Sequence, residues 1–234
     1  MNSLPSRPSL CGIEIMSMRI GQRYRASIEL ALNYLGQLRL YSFADLSLLF
    51  LALKVDALSF LAGSLLWFGF LIHLEWRHRD SGRRQWSPLA WIFAWMCAAI
   101  LLRTWWIFVF IAVAALYANK KRWPFGLIAP AVNGLIKLVL VVLIANPSTL
   151  ACVAIWALFT VRNVLGDVRD AEKDSREGVI TLPVFLGYRK RTPFVYPTAL
   201  ALTTIVWVVF GALPMWLIPA AWVVEASTYH LTPR

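Results

Sequence analysis

Three aspartates, Asp167, Asp170 and Asp174, follow an apolar segment at spacings of three and four residues. On an α-helix of 3.6 residues per turn, they fall on one face within about 60° of one another. Carboxylates converging at the end of an apolar helix repel one another, and a divalent cation relieves that repulsion. Oxygen ligands suit Mg²⁺, which shares substrate phosphates with one or two carboxylates. The spacing therefore fits a Mg²⁺ site, and it fits equally well the alternative of a solvated acidic loop. It also predicts the opposite face for the nearby basic residues Arg169, Lys173 and Arg176.

The composition indicates a membrane protein. Of the 234 residues, 59% are hydrophobic and 15% are charged, whereas soluble domains average about 45–50% apolar and about 25% charged residues. The net charge of +11 comes from Lys and Arg in short clusters between apolar runs. That distribution is typical of cytoplasmic loops and not of a nucleic-acid-binding face. A lipid bilayer is the predicted partner, and nucleic acid is not.

Apolar runs predict an all-α polytopic bundle of about seven to eight transmembrane helices in residues 38–234, after a cytoplasmic leader of residues 1–37. Because the connections at 77–84, 120–122 and 167–191 carry most of the charge, we expect them on the cytoplasmic side, with the site opening there. The runs cover residues 38–54, 57–75, 88–102, 104–118, 124–145, 148–166, 194–212 and 214–230.

The residues that follow the three aspartates, together with two other segments, resemble the motifs of a known family. Asp167 to Asp174 is followed by Gly178, by Thr181-Leu182-Pro183 and by Gly187, and this order resembles the second aspartate-rich motif of the UbiA superfamily of intramembrane prenyltransferases. The segment from Tyr117 to Arg122 resembles that family's Tyr-x-x-x-Lys-Arg motif. A weaker likeness lies at Arg39, where the family usually has Arg-Pro.

The resemblance implies a fold and an activity. Members place membrane helices around a central cavity and join an isoprenyl diphosphate to a lipophilic, often aromatic, acceptor with the help of Mg²⁺. It implies that Asp167, Asp170 and Asp174 bind Mg²⁺ and diphosphate. Lys121 and Arg122 would neutralise the leaving diphosphate, and the substrate-binding set is completed by Tyr117 and Arg39. The family's last helix is expected to be missing.

The family's first aspartate-rich motif is degraded in this chain. Aligning Ser87-Pro88-Leu89 with the family's Arg-Pro-Leu places Ile72, His73, Trp76 and Asp80 on the motif positions, so that only Asp80 survives as a predicted catalytic and metal-binding residue. A rival prediction is a transition-metal site built from His73, Glu75, His78 and Asp80. Lys137, within an apolar run, is expected either to face the cavity or to snorkel.

Three functions remain open at this point. The first is a divergent, Mg²⁺-dependent prenyltransferase whose acceptor the sequence does not identify. The second is a catalytically impaired relative that binds a lipid diphosphate or acts non-enzymatically, which the degraded first motif favours. The third is a terpene cyclase of the same fold, in which the allylic cation is captured internally.

Overall fold

The computed structural model describes residues 27–78 and 85–232. Within these ranges all regular structure is helical, and no strand occurs. Asp80 and most of the predicted leader lie outside the described residues, although residues 27–37 form helix α1. The other helices are α2 (Leu40–Ala52), α3 (Ala57–Arg77), α4 (Pro88–Leu102), α5 (Ile107–Tyr117), α6 (Phe125–Ile144), α7 (Thr149–Arg176), α8 (Leu182–Phe185), α9 (Val195–Phe210) and α10 (Leu217–Tyr229).

Three of the described helices, α3, α6 and α7, are long and apolar enough to span a membrane. Four shorter apolar helices accompany them: α2, α4, α5 and α9. Large apolar side chains such as Leu89, Leu150 and Phe194 are exposed, which suits contact with lipid better than contact with water. The all-α prediction is confirmed for the described residues, and the number of crossings and their orientation stay predictions.

Local sequence explains where the long helices begin. The Asp56 side chain accepts hydrogen bonds from the backbone N–H groups of Leu58 and Ser59, at 3.0 and 3.1 Å, and so caps α3. Ser148 caps α7 in the same way by accepting from the N–H of Ala151. Short polar side chains satisfy the free N–H groups of a first helical turn, which fixes the starts of both helices.

The pairs α3–α4 and α6–α7 make the most extensive contacts, and α2 packs on α9 and α10. A close approach of α6 to α7 depends on Gly134, because a Cβ there would lie 2.3 Å from the Thr160 hydroxyl and 2.5 Å from the Trp156 carbonyl oxygen. This contact brings Lys137 of α6 beside the ring of Phe159 in α7. The pairing of these two helices therefore shapes the interior of the bundle.

Helix α7 continues past the apolar run that ends at residue 166 and carries the aspartates on its last turns. It ends at Arg176, and Gly178 follows in the left-handed region with φ 71°. Gly187, two residues after the last residue of the short helix α8, has φ 85°. Glycine adopts such angles without the steric cost that a Cβ brings, so both glycines of the motif terminate helices.

Candidate functional site

The end of α7 opens into a cavity of about 140 Å³ that also receives side chains from α3, from the segment before α2 and from the α5–α6 connection. We call it the outer cavity. Its lining combines five carboxylates with five cationic side chains. The carboxylates are Glu75, Asp167, Asp170, Asp174 and Glu177, the cations are Arg39, Lys120, Lys121, Arg169 and Lys173, and the remaining lining residues are Tyr41, His78, Ala129, Val179, Thr181 and Thr232.

A second cavity of about 80 Å³ adjoins the outer one and extends into the bundle. We call it the inner chamber. Its walls include the aromatic side chains of Tyr41, Trp67, Phe70, Tyr117 and Tyr196. The two spaces share the lining residues Arg39, Tyr41, Lys120, Asp167, Arg169 and Asp170. A charged compartment therefore adjoins one whose walls carry both aromatic and charged side chains.

Asp167 lies where the two cavities meet, and it is buried, with 6% of its surface exposed. Its Oδ2 atom has no hydrogen-bond partner among the described residues, and neither does the buried Thr181 hydroxyl in the outer cavity. Buried polar oxygens are almost always hydrogen-bonded, so these two atoms are suited to accept a ligand. The Asp167 oxygen is the type of donor that Mg²⁺ prefers.

Within the described ranges, no three His, Cys, Asp or Glu side chains converge closely enough to hold a metal ion unaided. This finding argues against a metal site formed by protein ligands alone. Mg²⁺ usually takes one or two carboxylates together with substrate phosphates and waters. Asp167, with its unpartnered oxygen, and Asp174 of the same cavity wall fit such a shared site.

Asp170 is already occupied by a neighbouring cation. Arg169 donates from Nε to Asp170 Oδ1 at 2.7 Å, and its Nη2 also bonds Asp170 Oδ2. Its Nη1 donates to the Tyr229 hydroxyl of α10 at 2.6 Å. The prediction that Arg169 and Lys173 lie away from the aspartates is therefore wrong, because both line the outer cavity. The long side chains of Arg169 and Lys173 reach around the helix, so the position of a residue around the helix axis does not determine where its charge lies.

The α5–α6 connection brings two adjacent lysines to the cavity. Lys121 lines the outer cavity, and its amine lies 3.8 Å from a Glu177 carboxylate oxygen. Lys120, which the sequence analysis did not select, lines both cavities. Arg122 is exposed and lines neither cavity, so the motif presents its first two basic residues to the site and not its last.

The charge on Lys120 is supported by its surroundings. Its pKa is raised above the usual value, first by the nearby Tyr117 phenol and then by Asp167 and Asp174, against the opposing effects of burial and of Arg39. Lys120 therefore carries a positive charge at neutral pH. It is well placed to attract an anionic group toward the junction of the two cavities.

Tyr117 and Arg39 lie at the site, in different positions. Tyr117 is buried in the wall of the inner chamber, where its hydroxyl donates to Asn163 Oδ1 at 3.2 Å. Arg39 lines both cavities and forms a 2.7 Å ion pair with Glu75 of α3. The backbone of Arg39 is left-handed, with φ 48°, so the chain turns sharply there between α1 and α2.

The structure corrects the predicted orientation of α3. His73 packs against Trp91 and Trp95 of α4, with ring centroids 4.8 and 5.5 Å apart, and Trp76 also lies near Trp91. Neither His73 nor Trp76 lines the cavities. The predicted alignment of these residues with a metal-binding face is therefore wrong.

The face of α3 that reaches the outer cavity carries Glu75, and His78 follows at the helix end. His78 Nε2 lies 3.1 Å from the carbonyl oxygen of Ala118. Burial, together with the nearby Lys120 and Lys121, lowers the pKa of His78 to about 3, so its ring is neutral at pH 7. The rival transition-metal site is not formed by its described members, because His73 points to α4 while Glu75 and His78 line the cavity.

A buried ion pair in the wall of the inner chamber was missed by the sequence analysis. Asp45 is fully buried and lies 2.6 Å from Arg162, and it also accepts hydrogen bonds from Thr203 and Trp207. These groups join α2, α7 and α9 around one carboxylate. Asp45 and Arg162 are 117 residues apart, so no local sequence pattern links them. The one available signal was Asp45 itself, an acidic residue within an apolar run.

Comparison with known proteins returned no match to a family model, to a curated protein or to a solved structure.

Proposed function

We propose that this protein is a divergent membrane prenyltransferase, which transfers an isoprenyl group from an isoprenyl diphosphate to a lipophilic acceptor. The observation that carries the proposal is the convergence of Asp167, Asp174, Lys120 and Lys121 on one cavity, which adjoins a chamber that has aromatic side chains in its walls. The diphosphate would occupy the outer cavity, and the reacting end of the isoprenyl chain would enter the inner chamber.

The outer cavity offers both kinds of group that a metal–diphosphate complex requires. Mg²⁺ would be shared between the diphosphate and the carboxylates of Asp167 and Asp174, and it would offset the charge of the leaving group. Lys120 and Lys121 line the same cavity and would bind the remaining diphosphate oxygens. Cations fixed in advance around a developing negative charge lower the barrier to its formation.

Transfer begins when the allylic C–O bond breaks and its electron pair moves to the diphosphate oxygen. The allylic cation then forms a bond to a nucleophilic carbon or heteroatom of the acceptor, which loses a proton. Phe70 and Tyr117 line the inner chamber, and their aromatic rings would favour a short-lived cation, because aromatic rings attract positive charge. Enclosure would also keep water from capturing it.

A second candidate is diphosphate binding without turnover. Two pairings favour it: Asp170 is held by Arg169, and Glu75 of α3 is held by Arg39. Both carboxylates would have to exchange these partners to serve a metal. In this case the protein would bind isoprenyl diphosphates and release no product.

A transfer assay separates the two candidates. Purified protein in detergent would be incubated with Mg²⁺, radiolabelled isoprenyl diphosphates of several chain lengths and a panel of lipophilic acceptors. We expect a labelled lipid product, reduced roughly tenfold or more in Lys120→Met. The matched control is Lys190→Met, because Lys190 is exposed and lines neither cavity. If the protein bound isoprenyl diphosphates but formed no product and released no diphosphate with any acceptor, the second candidate would be favoured.

A further inference from the structure

An open apolar groove of about 450 Å³ runs along the surface of the bundle between α6 and the junction of α4 with α5. We call it the α6 groove. Val139 and Val142 form part of one wall, and Leu102 and Val109 form part of the other. Each lining residue is at least partly exposed, so the groove opens to the surroundings of the bundle. A groove of this composition suits a hydrocarbon occupant better than water.

The α6 groove lies far from the proposed diphosphate site. Ala129 of α6 lines the outer cavity, whereas Val139 of the same helix lines the groove. At 1.5 Å of rise per residue, about 15 Å of helix axis separates them. Helix α5 begins beside the groove and ends at the connection that carries Lys120 and Lys121. The groove and the outer cavity are therefore at opposite ends of the bundle, and the proposed transfer reaction does not use the groove.

Two stacked indole rings mark the rim of the groove. Trp105 and Trp106 have ring centroids 4.2 Å apart, and both side chains are more than half exposed. Trp106 lines the groove, and its backbone N–H donates to the Thr104 hydroxyl at 3.3 Å, which holds the turn between α4 and α5. Exposed tryptophans are enriched where the hydrocarbon of a bilayer meets its headgroups. We therefore expect the rim to lie at headgroup level.

Arg103 supplies a positive charge at the same rim. It lies between the lining residues Leu102 and Thr104, and it is exposed. It forms no ion pair with a carboxylate in the part of the chain that the structure describes. A guanidinium group binds phosphate oxygens through two parallel N–H donors. A hydrocarbon groove with such a cation at its rim is complementary to a lipid that carries a phosphate headgroup.

We propose that the α6 groove binds an anionic phospholipid of the surrounding bilayer, with an acyl chain along α6 and the headgroup at Arg103. Lipid tails are as apolar as the groove, so acyl contacts alone would not select one lipid among many. The charge of Arg103 supplies the selection. One cation near a membrane surface favours an anionic lipid by about fivefold.

Native mass spectrometry of the full-length protein in detergent would count the lipids bound during titration with phosphatidylglycerol or with phosphatidylcholine of the same acyl chains. We expect the wild-type protein to bind one phosphatidylglycerol about fivefold more tightly than phosphatidylcholine. Arg103→Gln should lose that preference. The matched control, Lys54→Gln, should keep it, because Lys54 is also exposed, has a similar backbone φ of 54° and lines none of the cavities described above.

A second pair of variants tests the groove itself. Val142→Trp should fill it and remove the tight phosphatidylglycerol site, since Val142 lines the groove and is 54% exposed. The matched control is Val153→Trp on α7, which should bind lipid as the wild type does, because Val153 is 57% exposed and lines none of these cavities. Glycerol phosphate, which carries the phosphate without acyl chains, should not compete with the lipid.

Equal binding of the two lipids by the wild-type protein, or an unchanged preference in Arg103→Gln, would overturn the inference. Wild-type lipid binding in Val142→Trp would do the same. A wild-type dimer that Val142→Trp dissociates without any change in lipid binding would assign the groove to a second copy of the chain and also overturn it. None of these measurements uses Mg²⁺ or diphosphate, so an absence of prenyl transfer would count only against the proposed function.

Discussion

The guanidinium group of Arg169 binds both carboxylate oxygens of Asp170, its neighbour in the sequence. The central aspartate of the motif is therefore neutralised by the protein itself. A cation entering the outer cavity must compete with Arg169 for this carboxylate. This competition should set how much Mg²⁺ the site requires.

Arg169→Gln should lower the Mg²⁺ concentration needed for half-maximal diphosphate binding by a few-fold, because it releases Asp170 and removes a cation from the cavity. The control is Arg176→Gln, which makes the same change on the same helix at a residue that pairs with Glu172 and lines neither cavity. Calorimetric titrations at several Mg²⁺ concentrations would measure the difference. An increased Mg²⁺ requirement in Arg169→Gln would mean that Arg169 holds Asp170 ready for the metal.

The orientation of α3 predicts different effects for the same His-to-Asp substitution at two positions. His78→Asp adds a carboxylate to the outer cavity and should lower the Mg²⁺ requirement. His73→Asp places a carboxylate among Trp91 and Trp95 and should destabilise the fold by about 1–3 kcal/mol, with no gain in Mg²⁺ binding. Mg²⁺ titration and denaturant unfolding of both variants would test this, and improved Mg²⁺ binding in His73→Asp would contradict the orientation.

The helices were predictable from the sequence because the lengths of the apolar runs indicate them. The shared face of the aspartates was predictable because their spacing along a helix determines it. The rotation of α3 was not, since Ala57–Arg77 is apolar around nearly its whole circumference and its pattern identifies no inner face. The Arg169–Asp170 pair escaped prediction because a long side chain can cross between helix faces. Asp45 and Arg162 are distant in sequence, so only the folded chain reveals that they form a pair.

His78 should make the stability of the protein depend on pH. Its folded-state pKa of about 3 lies below the ordinary value of 6.5, so the unfolded chain binds a proton that the folded protein excludes. Stability should therefore fall as the pH drops from about 6.5 toward 3, by at most about 1.4 kcal/mol per pH unit, and stay constant above that range. In His78→Gln, the free energy of unfolding measured at several pH values should change less steeply with pH than in the wild-type protein. An unchanged slope would show that His78 is not the group responsible.

The buried pair of Asp45 and Arg162 should be important for folding. Asp45→Asn leaves the Arg162 charge buried without its counterion and should cost about 3–5 kcal/mol in the free energy of unfolding. Asp56→Asn, at the exposed cap of α3, should cost less than about 1 kcal/mol. Unfolding in detergent would compare them. Equal, small losses in both variants would show that the ion pair contributes little.

The central claim is that the aspartates of α7 bind Mg²⁺ together with diphosphate in the outer cavity. The direct test is the Mg²⁺-dependent binding of an isoprenyl diphosphate to wild-type protein, to Asp167→Asn and to the triple Asn variant at Asp167, Asp170 and Asp174. Glu172→Gln is the matched control, because it removes one negative charge from the same helix outside both cavities. We predict a roughly tenfold or greater loss in Asp167→Asn, a complete loss in the triple variant and wild-type binding in Glu172→Gln. Wild-type affinity in the triple variant would contradict the account.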